Sequence, residues 1–210
     1  MAKFYKNDYK LKNDLKVFAN TNPFGKLLKP FLKNLYKSIE NHLPEPRDFL
    51  LKSIRKNGVC AEIGVYNGLF SKRIIRISKP QQLYLIDPWL EIPGGKEKYN
   101  QDNQDNRYSF VLRALRKEID KNIVHVIRKK SDEAVSQFYE GFFDFIYIDG
   151  DHSYFQVKKD LENFYSKMKK GGVLAGDDYH LPEVKQAVDE FAQNHHLQTY
   201  KRNNQFVIQI

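Results

Sequence analysis

Five short apolar runs in this 210-residue chain end at residues that can do chemistry, and four of those ends are acidic. They are Glu62 with Gly64, Asp87, Lys130 with Ser131, Asp149 with Asp151 and His152, and the pair Asp177-Asp178. Glu62-x-Gly64-x-x-x-Gly68 reads as a strand end passing through a glycine turn into a helix. Glycine lets such a turn close sharply, and the N–H groups at the helix start can meet a ligand's carboxylate or hydroxyls. Glu62 would favour a cationic ligand. The middle glycine of Gly-x-Gly-x-x-Gly is missing, so close approach of a pyrophosphate is not provided for, which disfavours a nicotinamide-dependent oxidoreductase. Asp87, 23 residues after Gly64, stands where a carboxylate commonly takes both ribose hydroxyls of a nucleoside. Carboxylates gathered at one sheet edge repel unless something positive sits among them, and Mg²⁺ with oxygen ligands meets that need. No Cys/His spacing suggests structural zinc. His152, three residues beyond Asp149, could reach a substrate hydroxyl as general base.

These ends need a scaffold that brings them together, and the pattern after Gly58 supplies one. Strand-like runs at Val59–Ile63, Gln82–Asp87, Ile123–Ile127, Phe143–Asp149 and Val173–Ala175 alternate with helical stripes. That alternation predicts an α/β, Rossmann-like, doubly wound and mostly parallel sheet, whose ligands sit at the carboxyl ends of the strands. The polar stretch 88–106, with Pro93-Gly94-Gly95, reads as a lid or binding loop before a helix over 107–120. Ser131 is the expected N-cap of the next helix. Gly171-Gly172 is expected to close the helix after His152, and two runs around Arg202-Asn203-Asn204 predict a hairpin with an antiparallel last strand.

Composition, 41% hydrophobic and 14% aromatic, excludes a disordered chain, and no apolar stretch approaches a membrane span or forms a signal-peptide core. A single cysteine, Cys60 inside the first strand, excludes an internal disulfide and reads as a buried thiol in a reducing, cytoplasmic compartment. The net charge of +9 is uneven: residues 1–56 hold 13 Lys/Arg against 5 Asp/Glu, and the remainder is nearly balanced. The expected division is a basic helical N-terminal extension over 1–57, serving as a cap or dimer element, and a ligand-binding domain over 58–210. Lys26, Lys29, Lys33 and Lys37 share a helical face opposite Phe31, Leu35 and Ile39. Such a face could steer an anionic substrate, meet anionic lipid or nucleic acid, or be merely solvated.

Glu62-Ile63-Gly64-Val65-Tyr66-Asn67-Gly68, Asp87-Pro88-Trp89, Ile148-Asp149-Gly150-Asp151-His152-Ser153-Tyr154 and Gly171-Gly172 followed by Gly176-Asp177-Asp178-Tyr179 together resemble the class I S-adenosylmethionine-dependent methyltransferases. More narrowly, they resemble the metal-dependent small-molecule O-methyltransferases that include macrocin and other sugar O-methyltransferases. The likeness runs from about Val59 to Ile210 and implies a seven-stranded sheet with an antiparallel last strand. It implies that Glu62, Gly64 and Gly68 hold the methionine part of S-adenosylmethionine, that Asp87 takes the ribose, and that Ser131 lies against the adenine. It implies Mg²⁺ held by Asp149, Asp177 and Asp178, with Asp149 in the catalytic group and either Asp151 or His152 as base.

Two functional readings follow. In the first, S-adenosylmethionine and Mg²⁺ serve O-methylation of a small acceptor with neighbouring hydroxyls, such as a sugar or a phosphorylated or nucleotide-linked sugar. In the second, the domain is a non-catalytic cofactor- or nucleotide-binding module docking on nucleic acid or anionic lipid through its basic N-terminus. The full acidic set argues for the first, and the near-neutral domain with acid-rich edges argues against a nucleic-acid acceptor. A homodimer built on the N-terminal helices is compatible with either.

Overall fold

A computed structural model of the chain describes residues 20, 45–92 and 99–210. The chain divides into two compact units, Met1–Asp48 and Phe49–Ile210. The lysine stripe, the apolar stripe of Phe31, Leu35 and Ile39, and Pro93-Gly94-Gly95 lie outside the described residues.

The second unit carries a seven-stranded sheet in the order β3-β2-β1-β4-β5-β7-β6. Its strands are β1 (Val59–Ile63), β2 (Gln82–Ile86), β3 (Val124–Ile127), β4 (Phe143–Ile148), β5 (Met168–Gly176), β6 (Thr199–Arg202) and β7 (Gln205–Gln209). The first five are parallel, and β7 runs against both β5 and β6, as the hairpin pattern predicts. The helices are α1 (Asp48–Ser53), α2 (Leu69–Ser78), α3 (Gln101–Ala114), α4 (Arg116–Asp120), α5 (Ser131–Ala134), α6 (Tyr154–Tyr165) and α7 (Pro182–Asn194).

Side chains alternate across a strand, so a central strand that is apolar throughout must be covered on both faces. Ala61, Ile63, Ile146 and Ile148 pack in one buried cluster with Val157, Leu161 and Phe164 of α6 and Val184, Val188 and Phe191 of α7. Cys60, Leu83, Leu85, Phe145 and Tyr147 pack in the other with Phe70 and Ile74 of α2. Leu50, Leu51 and Ile54 join that second cluster, so the compact unit begins ahead of residue 58. Burial pushes the Cys60 thiol up to about 12, which leaves it unreactive at neutral pH. No helix of the described residues is long and apolar enough to cross a membrane.

Three local expectations are corrected. The last part of the expected 88–106 loop, Gln-Asp-Asn-Gln-Asp-Asn at 101–106, is the start of α3, which Asn100 caps by accepting the Asn103 N–H at 2.9 Å. An exposed helix start needs no apolar residues, so polarity concealed it, and the helix breaks at Leu115 before α4. Ser131 is not the N-cap: Lys130 holds that position without a side-chain cap bond, and the serine hydroxyl turns to Asp160. Gly171-Gly172 lies inside β5 rather than ending a helix, since α6 stops at Tyr165.

The sheet's order reverses at β1, whose neighbours are β2 and β4, so the crevice of this fold opens at the carboxyl ends of β1 and β4.

Candidate active site at the carboxyl edge

The turn after β1 is set by close approach. Gly64 has φ 86°, and a Cβ there would stand 2.1 Å from the Asp149 carbonyl oxygen. Only glycine lets the ends of β1 and β4 meet, with the Asp149 N–H donating to the Ile63 carbonyl at 2.7 Å. Gly68, at φ 70°, opens α2.

Asp87 fixes the same turn from β2. Its Oδ2 accepts the Val65 and Tyr66 N–H groups at 2.9 Å each, and its Oδ1 accepts the Trp89 N–H at 2.7 Å. The buried Trp89 indole N–H closes the clamp by donating to the Tyr66 carbonyl at 2.9 Å. Burial pushes the Asp87 carboxyl up from its usual range, against the pull of those N–H bonds and of Arg107. A carboxylate offers about four lone-pair directions, and three are taken. Asp87 in this arrangement has room for one ligand hydroxyl, on Oδ1, and not for the pair that its spacing suggested.

Glu62 is 2% exposed, and its carboxylate accepts the Ser71 hydroxyl from α2. It therefore lies beneath the glycine turn rather than open in the crevice, and ties the end of β1 to the first turn of α2.

Across the sheet, Asp149, Gly150, Asp151, His152 and Asp177 line one small concavity floored by apolar residues, among them Ile148 and Phe206. His152 Nδ1 faces Asp178 Oδ2 at 3.4 Å, and His180 Nδ1 lies 3.7 Å from Asp178 Oδ1. Asp178 holds a left-handed backbone, φ 59°, that turns its carboxylate between the two histidines. Asp151 accepts the Ser153 N–H at 2.8 Å and so braces the turn into α6. Asp177 Oδ1 accepts the Gln205 side-chain amide and the Asp178 N–H, both at 2.9 Å.

Asp149, Asp177 and Asp178 thus share an edge without sharing a centre. Among the described residues no three His, Cys, Asp or Glu side chains are grouped to hold a metal ion. The carboxylates as arranged do not fit the expected Mg²⁺ set, because Asp178 is turned to the histidines and Asp177 to Gln205.

S-adenosylmethionine meets a better fit. The Cβ-free Gly64, the α2 start at Gly68 and the Asp87 clamp form a turn of fixed shape beside the crevice. Ser131 lies at the same edge, after β3.

Sequence reasoning missed Ser71, Asp160 and Gln205. Asp160 could have been found, because it falls on the same α6 face as Val157, Leu161 and Phe164, where a carboxylate is out of place. Ser71 and Gln205 give no such signal.

A parallel five-stranded sheet with a β6–β7 hairpin inserted as 5-7-6, and a glycine turn after β1, is the class I S-adenosylmethionine-dependent methyltransferase fold. The chain belongs to a family described as "Methyltransferase domain", whose model matches residues 61–179. Precorrin-6y C5,15-methyltransferase from Geobacter metallireducens superposes with a TM-score of 0.55 at 14% identity, covering 77% of this chain and 82% of that one. Fibrillarin from Aeropyrum pernix, solved with natively bound S-adenosyl-L-methionine, gives 0.53 at 12% identity, covering 78% and 73%. At such identities the likeness is one of fold. An uncharacterised protein of Acanthamoeba polyphaga mimivirus is 30% identical over 136 residues, which are 61% of this chain. The chain spans 57% of the length of that curated relative.

Proposed function

We propose that this protein transfers a methyl group from S-adenosylmethionine to a hydroxyl oxygen of a small acceptor, with His152 as the general base. The observation that carries this reading is the His152–Asp178 pair, 3.4 Å apart at the carboxyl edge beside the glycine turn. Bound at that turn, the sulfonium supplies an electrophilic methyl group, so the chain has to remove one proton and align one oxygen. With Nδ1 facing Asp178 at 3.4 Å, Nε2 is the ring nitrogen left to take a proton. Nε2 takes the acceptor's hydroxyl proton as the oxygen pair forms the new C–O bond and the S–CH₃ pair returns to sulfur. S-adenosylhomocysteine and the methyl ether are released, and the imidazolium gives its proton to solvent. Asp178 stabilises the charge that forms on the ring.

Asp151 is the weaker base, since its Oδ1 already braces Ser153. A sugar or other vicinal diol as acceptor, including a phosphorylated or nucleotide-linked sugar, rests on the motif resemblance. So does a Mg²⁺ ion on Asp149, Asp177 and Asp178, which would require Asp178 to leave its histidines; no step above depends on it.

The test is calorimetric titration with S-adenosylmethionine, followed by transfer of labelled methyl to a panel of hydroxylated acceptors with and without EDTA. Binding together with turnover that His152→Ala abolishes supports the reading. Full turnover in that variant removes His152 as base, and no cofactor binding removes the reading itself. Turnover lost in EDTA and restored by Mg²⁺ would add the metal.

A further inference from the structure

Asp160 on α6 is 1% exposed, and among the described residues it makes no ion pair. The neighbouring cations are committed elsewhere: Lys159 pairs with Asp132, and Lys158 pairs with Glu190 of α7. Asp160 instead collects two hydrogen bonds on one oxygen. The Ser131 hydroxyl donates to its Oδ1 at 2.5 Å, and Gln156 Nε2 donates to the same oxygen at 2.9 Å. The same Gln156 Nε2 also donates to Ser131 Oγ at 3.2 Å.

A serine hydroxyl has one proton and two lone pairs. Here the proton belongs to Asp160 and one lone pair to Gln156, which leaves Ser131 a single capacity, to accept. We propose that Asp160 is a positioning residue that fixes the Ser131 hydroxyl as an acceptor, so that the wall after β3 selects a purine with a 6-amino donor over one with a 6-oxo group. This rests on the reading that Ser131 lies against the cofactor's base. An amino N–H would satisfy the remaining lone pair, whereas a carbonyl oxygen would set two acceptors against each other with water excluded.

Burial, helped by the negative charges of Asp132 on α5 and Asp151 ahead of α6, raises the Asp160 carboxyl to about 6. The protonated acid is itself a donor, which releases the serine proton to turn outward. Selection by the wall therefore weakens as pH falls through that value.

The experiment is calorimetry of the full chain with S-adenosylhomocysteine and its 6-oxo counterpart, at about pH 7.5 and about pH 5. Wild type should prefer the 6-amino ligand by about tenfold or more at the higher pH, and by less at the lower. Asp160→Leu, which offers no acceptor, should lose the preference. Asp160→Asn, which keeps an oxygen for Ser131 and cannot titrate, should keep it at both pH values. A preference intact in D160L, or falling equally with pH in D160N and wild type, overturns the proposal. Should D160L not fold, the D160N and wild-type pH comparison decides. Ser131→Ala separates the two levels: unchanged affinity for both ligands removes Ser131 from the base, whereas a preference lost in S131A and kept in D160L removes only Asp160.

Discussion

Gln205, the first residue of β7, donates its side-chain amide to Asp177 Oδ1 at 2.9 Å. The one strand that runs against the others thus holds a carboxylate at the ends of the parallel ones. Gln205 is 3% exposed, and its amide oxygen has no hydrogen-bond partner among the described residues, so the group is kept for its N–H end.

Gln205→Leu should cost about 1.5–3 kcal/mol of stability, as for a buried hydrogen bond to a charged group. Gln205→Glu should cost more, because it sets a second carboxylate against Asp177. Chemical denaturation of the two variants measures both. Equal midpoints for wild type and Q205L would show that Asp177 is held by its other contacts.

The Asp87 clamp predicts that stability and cofactor affinity fall together. Asp87→Ala removes the oxygens that accept the Val65 and Tyr66 N–H groups of the glycine turn and the Trp89 N–H beyond β2, so cofactor binding should weaken by about 1.5–3 kcal/mol and unfolding should come earlier by a similar amount. The chain's only tryptophan, Trp89, is fully buried and donates to Tyr66, so its emission should shift to the red in this variant. Weaker binding with unchanged stability and emission would make Asp87 a ligand contact alone.

Much of the fold was legible because its signals are local. The apolar runs of β1, β2 and β4 are dictated by burial on both faces, and Arg202-Asn203-Asn204 marked the hairpin, where Asn203 adopts φ 55°. Glu62, Gly64, Asp87, Asp149, His152, Asp177 and Asp178 were placed at the correct edge, since strand ends follow from strand pattern. Side-chain direction was not legible. Nothing in the spacing says that Asp178 turns to His152 rather than to Asp177, or that Asp87 spends itself on the backbone of the β1 turn. The start of α3 escaped because an exposed helix end capped by Asn100 looks like a polar loop in composition.

His152→Ala should lower kcat by roughly 10²–10⁴-fold, the range for a positioned general base, with acceptor KM little changed. Asp178→Asn should lower kcat less, because it leaves the base in place and removes only the charge that orients and stabilises it. Steady-state kinetics on the best acceptor from the screen reads both. A D178N loss equal to that of H152A would assign the carboxylate a direct role, in proton removal or in metal binding.

The buried Asp160 gives a pH dependence opposite in sign to that of the carboxylates whose pKa is lowered by a lysine partner. Its folded pKa, about 6, lies above the ordinary aspartate value of 3.8, so between those values the native state binds more protons than the unfolded state. Stability from this group is therefore present at low pH and lost as pH rises, by about 3 kcal/mol in all between roughly pH 4 and pH 6. Asp144 and Asp189, where burial is outweighed by lysine and other hydrogen bonds, and Asp132, held low by its Lys159 bond, act the other way, losing stability as pH falls. Subtracting Asp160→Asn isolates the one group, because the other carboxylates are common to both proteins. Urea unfolding from about pH 4.5 to about pH 8 should show wild type losing ground to D160N as pH rises, then running parallel above about pH 7. A difference that is flat throughout would mean that Asp160 keeps an ordinary carboxylate pKa, with its charge compensated at the Ser131 and Gln156 hydrogen bonds.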